Sequence, residues 1–582
     1  MKEKTYLRTL YTAEGERLKN APDEIPWTAY PRPHLERSSF LCLNGTWEFC
    51  TVKRGGAPAY DERIRVPFVP QSVLSNVGRA ISQKETLCYR RSFDLPEEFL
   101  GGRVLLHFGA VDQIAEISVN GQRLLHHEGG YEHFSVEITD VMKKANVVEV
   151  AVTDHLDDHV LPYGKQKEKR GGMWYTPIAG IWQTVWLECV PVNYIRELSF
   201  VTDLTGATLT VEMSGEHADG TVALQLPGEE RVYPVRNGSA RIDVPDPILW
   251  SSENPHLYRV TVTVGEDRVS SYFALRTLEI KDVNGVQRLC LNGKPYFFHG
   301  LLDQGYFSDG IFLPASPKGF EEDVLLAKRH GFNMLRKHIK IEPECFYYDC
   351  DRLGMVVFQD MVNNGDYSFL RDTVLPTVGI KRMNDRRMHR HKATRAAFLD
   401  GMKKMVAQLR HHPSICYWTI FNEGWGQFDH AAAYRMLKEL DDTRFIDSVS
   451  GWFVPKNDAD FASDVESHHV YFKPVKLPKG KRPVVLSEFG GYSHRVLEHS
   501  FNQKGNYGYR TFASPEAFAD AFEDLYRNEV LPAVRQGLCA AVYTQLTDVE
   551  DETNGLITYD RRVEKINSDR TKQIAERLFA EI

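Results

Sequence analysis

Two glutamates in this sequence each follow a run of apolar residues. Glu423 comes after ICYWTIFN (415 to 422), and Glu488 comes after PVVLS (483 to 487). If both apolar runs are buried strands, each glutamate lies where its strand ends. Two carboxyl groups across one pocket can cleave a glycosidic bond, because one protonates the departing oxygen while the other attacks or stabilises the sugar carbon.

The distance between two such carboxyl groups decides the stereochemical outcome of the reaction. A separation of about 5 to 5.5 Å gives retention, whereas one of about 6.5 to 9.5 Å leaves room for a water molecule and gives inversion. We expect their surroundings to separate the two pKa values, so that one carboxyl is protonated and the other ionised near neutral pH. Asn422, beside Glu423, is predicted to donate to the sugar hydroxyl next to the reacting carbon.

The elements that must position these residues begin after residue 291, where strand-like apolar runs alternate with helical patterns. Buried parallel strands read as nearly continuous apolar runs. The pattern therefore predicts a (β/α)8 barrel, with strands at 295–304, 332–338, 355–361, 415–423, 447–451, 465–471, 483–490 and 540–547.

In such a barrel the chemistry is found at the carboxyl ends of the strands. His468 and His469 are adjacent and point in opposite directions, so at most one faces the pocket; His469 shares the parity of Tyr471 and is the one predicted. Besides these, the predicted substrate-binding residues at the strand ends are Asn422, Asp303, Arg336, His338, Trp425, Trp452 and Gln545.

Each of these residues also has a purely structural interpretation. Glu423 could be a solvated loop carboxylate, and Glu488, which precedes Phe-Gly-Gly, could cap a turn. Arg336 and His338 could brace the barrel through acidic neighbours. Trp425 and Trp452 are expected to stack on the apolar face of a sugar, whereas Trp418 is expected in the core.

Two β-rich regions precede the barrel. Short alternating runs from about Phe40 to Glu188 predict a β-sandwich or barrel, and a region of about 90 residues that follows suits an immunoglobulin-like sandwich of about seven strands. The predicted domains are therefore 1–190, 191–280 and 281–582.

The bulk composition argues against two classes of partner, nucleic acids and membranes. The chain has 582 residues, 42% hydrophobic content and a formal net charge of -8 without a long block of one sign, so neither nucleic acid nor a membrane is expected to bind it. No signal peptide or apolar run of membrane-spanning length is visible, which favours a cytoplasmic protein. The nine cysteines are expected to be reduced, and Cys345 and Cys350 lack partners in register, so no metal is predicted.

Several motifs in order give the chain a family resemblance. NEGWG and SEFGG resemble the acid/base and nucleophile strands of retaining glycosidases on (β/α)8 barrels. YPRPHLERSSFLCLNGTWEF, VNGQRLLHHEGGYEHFSVEIT and WYTPIAGIWQTVWLE resemble the sugar-binding jelly roll of family 2 glycoside hydrolases. LWSSENPHLYRVTVTV and FALRTLEI resemble the immunoglobulin-like domain of that family, and LNGKPYFFHG resembles its entry to the barrel. The resemblance runs from about residue 30 to 565.

This resemblance implies roles for individual residues. Glu423 would be the general acid/base and Glu488 the nucleophile of a double displacement through a covalent glycosyl-enzyme, with no required cofactor. It implies that Arg336 and His338 orient the nucleophile and bind sugar. The alternative, that they brace the barrel, stays open. The family often closes the sugar subsite with an aromatic residue at the position of Gln545. Tyr543 is the alternative residue for that contact. The N-terminal domain often makes subunit contacts in the family, so a homo-oligomer is possible.

The sugar is less well indicated than the reaction. β-Galactosidases, β-glucuronidases and β-mannosidases share this domain plan. Glucuronidases of the family carry an Asn-x-Lys pair that grips the uronate carboxylate. In this chain Asn554 begins the stretch NGLITYDRR, which has no Lys two residues after the Asn. A β-galactosidase-like exo-enzyme is therefore expected first, and a β-glucuronidase or a pentopyranosidase or furanosidase second; Arg561, Arg562 or the basic cluster at 386–392 would supply charge to a uronate.

Two further interpretations stay open. A carbohydrate-binding protein without activity could keep the same fold, although the presence of both glutamates argues against it. The segment from residue 362 to 392 is longer than a barrel connection requires. For its basic end, a solvated or subunit-facing patch is favoured over a site that binds an acidic group of the substrate.

Overall fold

The computed structural model describes residues 7–216, 219–455, 458–478 and 480–582. Its N-terminal part is a sandwich of two main antiparallel sheets, ordered β3-β2-β4-β10-β7-β8 and β1-β12-β5-β9, with a small pair β11-β6 at one end. The strands are Leu41–Cys42 (β1), Gly45–Lys53 (β2), Glu62–Val66 (β3), Glu85–Asp94 (β4), Arg103–Phe108 (β5), Val111–Asp112 (β6), Ile114–Val119 (β7), Gln122–Glu128 (β8), Phe134–Glu137 (β9), Ala145–Thr153 (β10), Gly180–Ile181 (β11) and Val185–Val190 (β12).

The middle part is a second sandwich, in which seven strands are described. Its sheets are ordered β13-β14-β17 and β16-β15-β18-β19 and enclose a separate apolar core. The strands are Ile195–Thr202 (β13), Gly206–Met213 (β14), Gly220–Leu226 (β15), Glu229–Val235 (β16), Ser239–Asp243 (β17), Tyr258–Val264 (β18) and Asp267–Phe273 (β19). A three-stranded meander then leads into the barrel, with Leu278–Val283 (β20), Val286–Leu291 (β21) and Lys294–Pro295 (β22).

The barrel contains all eight strands that the sequence predicts, within the described residues. They pair in parallel in the order β27-β26-β25-β24-β23-β32-β29-β28, and the end strands β27 and β28 lie side by side, so the barrel nearly closes. The strands are Phe298–Asp303 (β23), Met334–Lys337 (β24), Val356–Asp360 (β25), Ile415–Asn422 (β26), Phe445–Ser450 (β27), Glu466–Val470 (β28), Val484–Gly490 (β29) and Leu538–Thr544 (β32), with a short pair Tyr492–Ser493 (β30) and Arg510–Thr511 (β31) at the rim.

Helices cover most of the outside of the barrel. Ser514 shows how the sequence starts one of them: its side chain accepts a hydrogen bond from the backbone N–H of Ala517, and Pro515 occupies the first helical position. The helices are Ala13–Lys19 (α1), Lys318–Arg329 (α2), Glu344–Leu353 (α3), Leu375–Thr377 (α4), Lys392–Leu409 (α5), His430–Leu440 (α6), Pro515–Leu525 (α7), Leu531–Arg535 (α8) and Ser568–Phe579 (α9). In the described residues β27, β28 and β29 are joined without an α-helix, so this side of the barrel is built from loops.

Strand parity decides which side chains enter the barrel. Leu302 packs inside it with Phe358 and pairs in register with Arg336, so Arg336 also points inward. Lys337, the next residue, points outward, because its Nζ lies 4.2 Å from the centre of the Phe346 ring on α3. Asp303 pairs with Lys337 and shares that outward face.

The N-terminal sandwich reaches the barrel mouth through the 155–178 segment, which connects β10 to β11. Tyr163 donates from its backbone N–H to Asn363 O at 3.1 Å and from its hydroxyl to Gly365 O at 2.8 Å. The backbone N–H of Thr176 donates to Glu550 at 2.9 Å. This segment therefore forms one wall above the strand ends.

The predicted architecture of two β-sandwiches followed by a barrel is confirmed, while the domain boundaries at residues 190 and 280 stay predictions. Among the described helices, none has the length and apolar character needed to cross a membrane.

Candidate active site

Glu423 stands where β26 ends in a sharp turn. It has a positive φ of 52°, and Gly424 follows with 73°. A non-glycine residue in this region costs about 1–3 kcal/mol, and such strain is typical of functional sites. The turn is tight, because a Cβ on Gly424 would lie 2.0 Å from the Phe453 ring. The strain therefore aims the Glu423 side chain over the barrel mouth, where 24% of it is exposed.

Glu488 lies deeper, near the end of β29, with 5% of its side chain exposed. Arg336 Nη1 donates to its Oε1 at 3.1 Å, and the Tyr471 hydroxyl donates to its Oε2. Both carboxylate oxygens are thus occupied by donors that fix the orientation of the group.

The two glutamates face each other across the same cup. One carboxylate oxygen of each lies within 4.8 Å of the other. His469 Nδ1 lies between them, 2.8 Å from Glu423 Oε1 and 3.5 Å from Glu488 Oε2. His468, on the opposite side of the strand, lies 3.4 Å from Glu466 instead.

Arg336 ties the floor of the site together. Its guanidinium also donates to Asp360 at 3.0 Å and to Asn422 Oδ1 at 2.9 Å. No described residue accepts from the NH2 group of Asn422, which leaves that donor free for a ligand. His338 Nδ1 lies 2.6 Å from the second oxygen of Asp360, so its other ring nitrogen can face the cup.

The electrostatics of this floor favour an ionised Glu488. Burial alone would raise its pKa, but the charges of His469, Arg336 and His338 and the Tyr471 hydroxyl outweigh burial and hold it at about 2. Burial lowers the pKa of His338, and the positive charge of Lys165 acts in the same direction. A carboxylate that stays ionised and oriented at neutral pH suits a nucleophile.

Aromatic rings line the rim on the side of Tyr471. Tyr509 stacks on it with ring centres 3.7 Å apart and an angle of 6°. Trp452 lies 5.5 Å from the His469 ring, and Lys381 Nζ is 4.2 Å from the Trp452 ring centre. Flat apolar faces beside hydroxyl-binding groups are what a sugar ring requires.

Two of the predicted substrate-binding residues are not brought to the cup. Asp303 is buried behind the wall, where Lys337 Nζ donates to it at 2.6 Å. Tyr543 packs outside the barrel against Phe489 and Phe522, because it has the parity of Ala541, which also belongs to the outer core, whereas Ala540 and Val542 fill the barrel. Thr544 takes the inward position instead, 3.2 Å from the Tyr471 hydroxyl.

Trp425 and Gln545 lie behind the lining of the cup. Trp425 is 4% exposed and donates to Gly365 O at 3.1 Å. Gln545 is fully buried and donates to Glu552 and to Asn554, both at 2.8 Å. We interpret both as supports of the lining, and direct contacts of either with a sugar stay untested predictions.

Sequence reasoning missed Glu552 and the residues of the 155–178 segment. Burial raises the pKa of Glu552 to about 7, and the positive charge of Lys165 opposes this rise. Trp174 packs edge-on against Trp425 and Tyr367, with ring centres 5.1 Å apart in both cases. No local signal in the sequence placed these loop residues, since their position depends on how the two domains dock.

The arginines proposed as uronate partners are engaged elsewhere. Arg561 pairs with Asp323 at 3.1 Å, and Arg562 pairs with Glu16 at 2.8 Å. In the 362–392 segment, Arg386, Arg387 and Arg390 are exposed at the surface. From this segment Lys381 extends toward the cup.

Two groups of described residues have donor atoms close enough to hold a metal ion. One is Glu423, His469 and Glu488, but Glu488 already accepts from Arg336 and Tyr471. The other is His34, Glu344 and His411, where the two imidazole rings stack 3.4 Å apart at 21°. Lone pairs in nearly parallel planes cannot converge on one ion, so we assign no metal to either group.

Three family models match the chain. They are described as glycosyl hydrolase 2 galactose-binding domain-like at residues 64–181, glycosyl hydrolases family 2 at 197–276, and glycosyl hydrolases family 2, TIM barrel domain, at 279–496. The matches follow one another in the order of the two sandwiches and the barrel.

Two of the relatives with similar sequences are named as glycosidases that act on different sugars. A β-galactosidase of Aeromonas hydrophila is 28% identical over 533 residues, which covers 81% of this chain and 48% of that protein. A β-glucuronidase of Felis catus is 25% identical over 476 residues, which covers 72% of this chain and 68% of that protein. The chain thus spans about half the length of the β-galactosidase it matches.

Solved structures share the fold over nearly the whole chain. A β-glucuronidase from an uncultured Clostridium species has a TM-score of 0.72 at 18% identity and covers 94% of this chain and 99% of its own. A β-galacturonidase from Eisenbergiella tayi has a TM-score of 0.68 at 18% identity, with 95% and 98% covered.

Proposed function

This chain belongs to glycosyl hydrolase family 2, and we propose that it is a retaining, exo-acting glycosidase that removes a non-reducing terminal β-linked sugar. The observation that carries the proposal is the approach of the Glu423 and Glu488 carboxylate oxygens to within 4.8 Å. That separation supports the retaining geometry of about 5–5.5 Å rather than the wider inverting one.

In the first step Glu488 attacks the anomeric carbon while Glu423 protonates the departing oxygen. The aglycone leaves, and a covalent glycosyl-enzyme forms on Glu488. In the second step Glu423 takes a proton from water, whose oxygen attacks the same carbon and releases Glu488. The greater exposure of Glu423 supports its role, because the acid/base must meet both the leaving group and water.

The sugar that we propose first is a neutral one of the β-galactoside type. Another carboxyl, Glu552, lies close enough to Glu488 that the Glu488 charge adds to the effect of burial on its pKa, and the arginines at 561 and 562 are paired away from the cup. Buried carboxyl groups accept hydrogen bonds from sugar hydroxyls, whereas they repel a uronate.

One observation favours a β-uronide as the second candidate. Lys165 has no described hydrogen bond or ion pair from its ammonium group, and its charge acts on both His338 and Glu552. An unpaired cation in the cup would suit a sugar carboxylate. Names of relatives include both activities, so they favour neither candidate.

A panel of 4-nitrophenyl β-glycosides tests the proposal. We expect release of 4-nitrophenol from the galactoside, retention of anomeric configuration by NMR, and no release by Glu488→Gln. Hydrolysis of the glucuronide without the galactoside would reverse the order of sugars. Failure of the folded wild-type protein to release 4-nitrophenol from any sugar, with binding of the same glycosides retained, would favour a carbohydrate-binding protein instead.

A further inference from the structure

A recess of about 190 Å³ lies where the middle sandwich meets the barrel. It is at the end of the barrel opposite to the cup, because Arg276 in its wall bonds to Ile415, the first residue of β26, whereas Glu423 follows the last. Eight strand residues separate the two ends by about 25 Å. The recess is therefore not part of the active site.

The lining of this recess is cationic. No aspartate or glutamate is among the described residues that line it. Its polar lining residues include Arg276, Thr277, Arg410, His411, Thr443 and Arg444.

Arg276 is a buried cation without a carboxylate partner. It is 8% exposed, and it donates to the backbone carbonyls of Pro413 at 2.6 Å and Ile415 at 2.8 Å. In the described part of the chain no acidic side chain forms an ion pair with it, and Nη1 has no described acceptor. Burial lowers its pKa, and the nearby charge of Arg444 acts in the same direction, while Cys416, Asp441 and Asp351 oppose the lowering. A buried charge that no carboxylate contacts directly is costly.

The neighbouring groups do not remove this excess of positive charge. Arg444 pairs with Asp441 at 2.8 Å and donates its remaining N–H groups to carbonyls and to Thr443. Arg410 is exposed, and none of the described residues bonds to its guanidinium. Three guanidinium groups thus lie near two carboxylates: Asp441, which pairs with Arg444, and Asp351, whose charge also acts on Arg276.

Thr277 supplies a second, independent observation. Its hydroxyl is buried and has no described hydrogen-bond partner. Buried hydroxyl groups almost always have a partner, so Thr277 has an unused donor beside the recess.

We propose that this recess binds a small oxyanion of the phosphate type. Arg276 and Arg410 would donate from their guanidinium groups, which match the oxygens of phosphate and sulfate, and Thr277 would donate its hydroxyl once its side chain turns toward the anion. Carbonyl groups satisfy the other N–H groups of Arg276 and hold it in place. The proposal does not depend on the reaction assigned to the cup.

Isothermal titration with inorganic phosphate at fixed ionic strength tests it. We expect wild type to bind, and Arg410→Gln to bind at least about tenfold more weakly, because a charge-assisted hydrogen bond is lost. The control is Arg268→Gln, an exposed arginine on β19 outside the recess, which should bind like wild type. Absence of binding by wild type up to about 10 mM would overturn the proposal.

The nearly isosteric Thr277→Val keeps the test independent of any effect of Arg410 on folding. We expect it to weaken phosphate binding while kcat/KM on the best glycoside stays unchanged. Glucose 6-phosphate as a second titrant distinguishes a phosphorylated sugar from free phosphate, and weakening of either by Arg410→Gln supports the site. Equal affinity in wild type, Arg410→Gln and Thr277→Val would place the anion elsewhere and contradict the proposal.

Discussion

At the scale of single residues, Glu423 and Glu488 differ in surroundings in the way that their proposed roles require. Glu488 is buried, accepts from Arg336 and Tyr471, and has a pKa held at about 2. Glu423 is more exposed and contacts His469. The difference arises from position in the cup, since the two residue types are identical.

The leaving group should separate these roles. Glu488→Ala is expected to lower kcat by about 10⁴-fold or more for every substrate, because no nucleophile remains. Glu423→Ala should spare 2,4-dinitrophenyl glycosides relative to alkyl glycosides, since only poor leaving groups need a proton. Steady-state kinetics with both substrate classes is the measurement. Equal losses for both classes in Glu423→Ala would contradict the assignment.

Tyr471 is expected to control the ionisation of the nucleophile. Tyr471→Phe removes a hydrogen bond to a charged group worth about 1.5–3 kcal/mol, which should raise the pKa of Glu488 by about 1–2 units. Because the ionised form is active, the acidic limb of the kcat/KM profile should move to higher pH. Tyr509→Phe is the matched control, since it keeps the stacked ring and removes a hydroxyl that does not bond to Glu488. An acidic limb at the same pH in wild type and Tyr471→Phe would refute this role.

At the scale of elements, the strands were predictable and the loops were not. Apolar runs such as MVVFQDM (355–361) marked several strands of the barrel, because buried parallel strands are apolar on both faces. Parity placed His469 beside Tyr471 in the cup. The same rule places Asp303 and Tyr543 outside it, which the sequence interpretation overlooked.

No comparable sequence pattern marks the site residues that come from long loops. Tyr509 and Trp174 reach the site through contacts between segments far apart in sequence. Glu552 follows β32 in an irregular stretch, and only the folded chain shows it next to Gln545. Periodicity carries no information on where an irregular segment lies.

The 155–178 segment is expected to be a necessary wall of the cup. Trp174→Ala removes its edge-on contacts with Trp425 and Tyr367. This should weaken the packing of the segment against the barrel by about 1–3 kcal/mol. We expect a several-fold higher KM with a smaller change in kcat. The measurement is a comparison of both constants with those of Trp174→Phe, which keeps a ring in place. Unchanged kinetics in Trp174→Ala would mean that this wall does not contact substrate.

At the scale of the whole molecule, the N-terminal sandwich has an apolar core of its own, but side chains at its barrel-facing end share the apolar core of the barrel. Trp182, from the sandwich, is fully buried and packs edge-on against Phe312 of the barrel at 5.2 Å between ring centres. The middle sandwich has its own core. Because side chains of the N-terminal sandwich are part of the barrel core, we expect the first and third parts to unfold together.

Trp182→Ala tests this coupling. The substitution leaves a large cavity in the shared core and should cost about 3–5 kcal/mol. We expect the main calorimetric transition and the temperature at which activity is lost to fall together by several degrees. Appearance of a separate early transition, with the temperature of activity loss unchanged, would show that the sandwich unfolds independently.

The central claim is that Glu488 becomes covalently bound to the sugar. The most direct measurement uses the 2,4-dinitrophenyl 2-deoxy-2-fluoro derivative of the sugar that the panel identifies, followed by peptide mass spectrometry. The account predicts time-dependent inactivation and one fluoroglycosyl group on the peptide that contains Glu488, with none in Glu488→Gln. A fluoroglycosyl group on another residue, or inversion of the anomeric configuration during turnover, would contradict it.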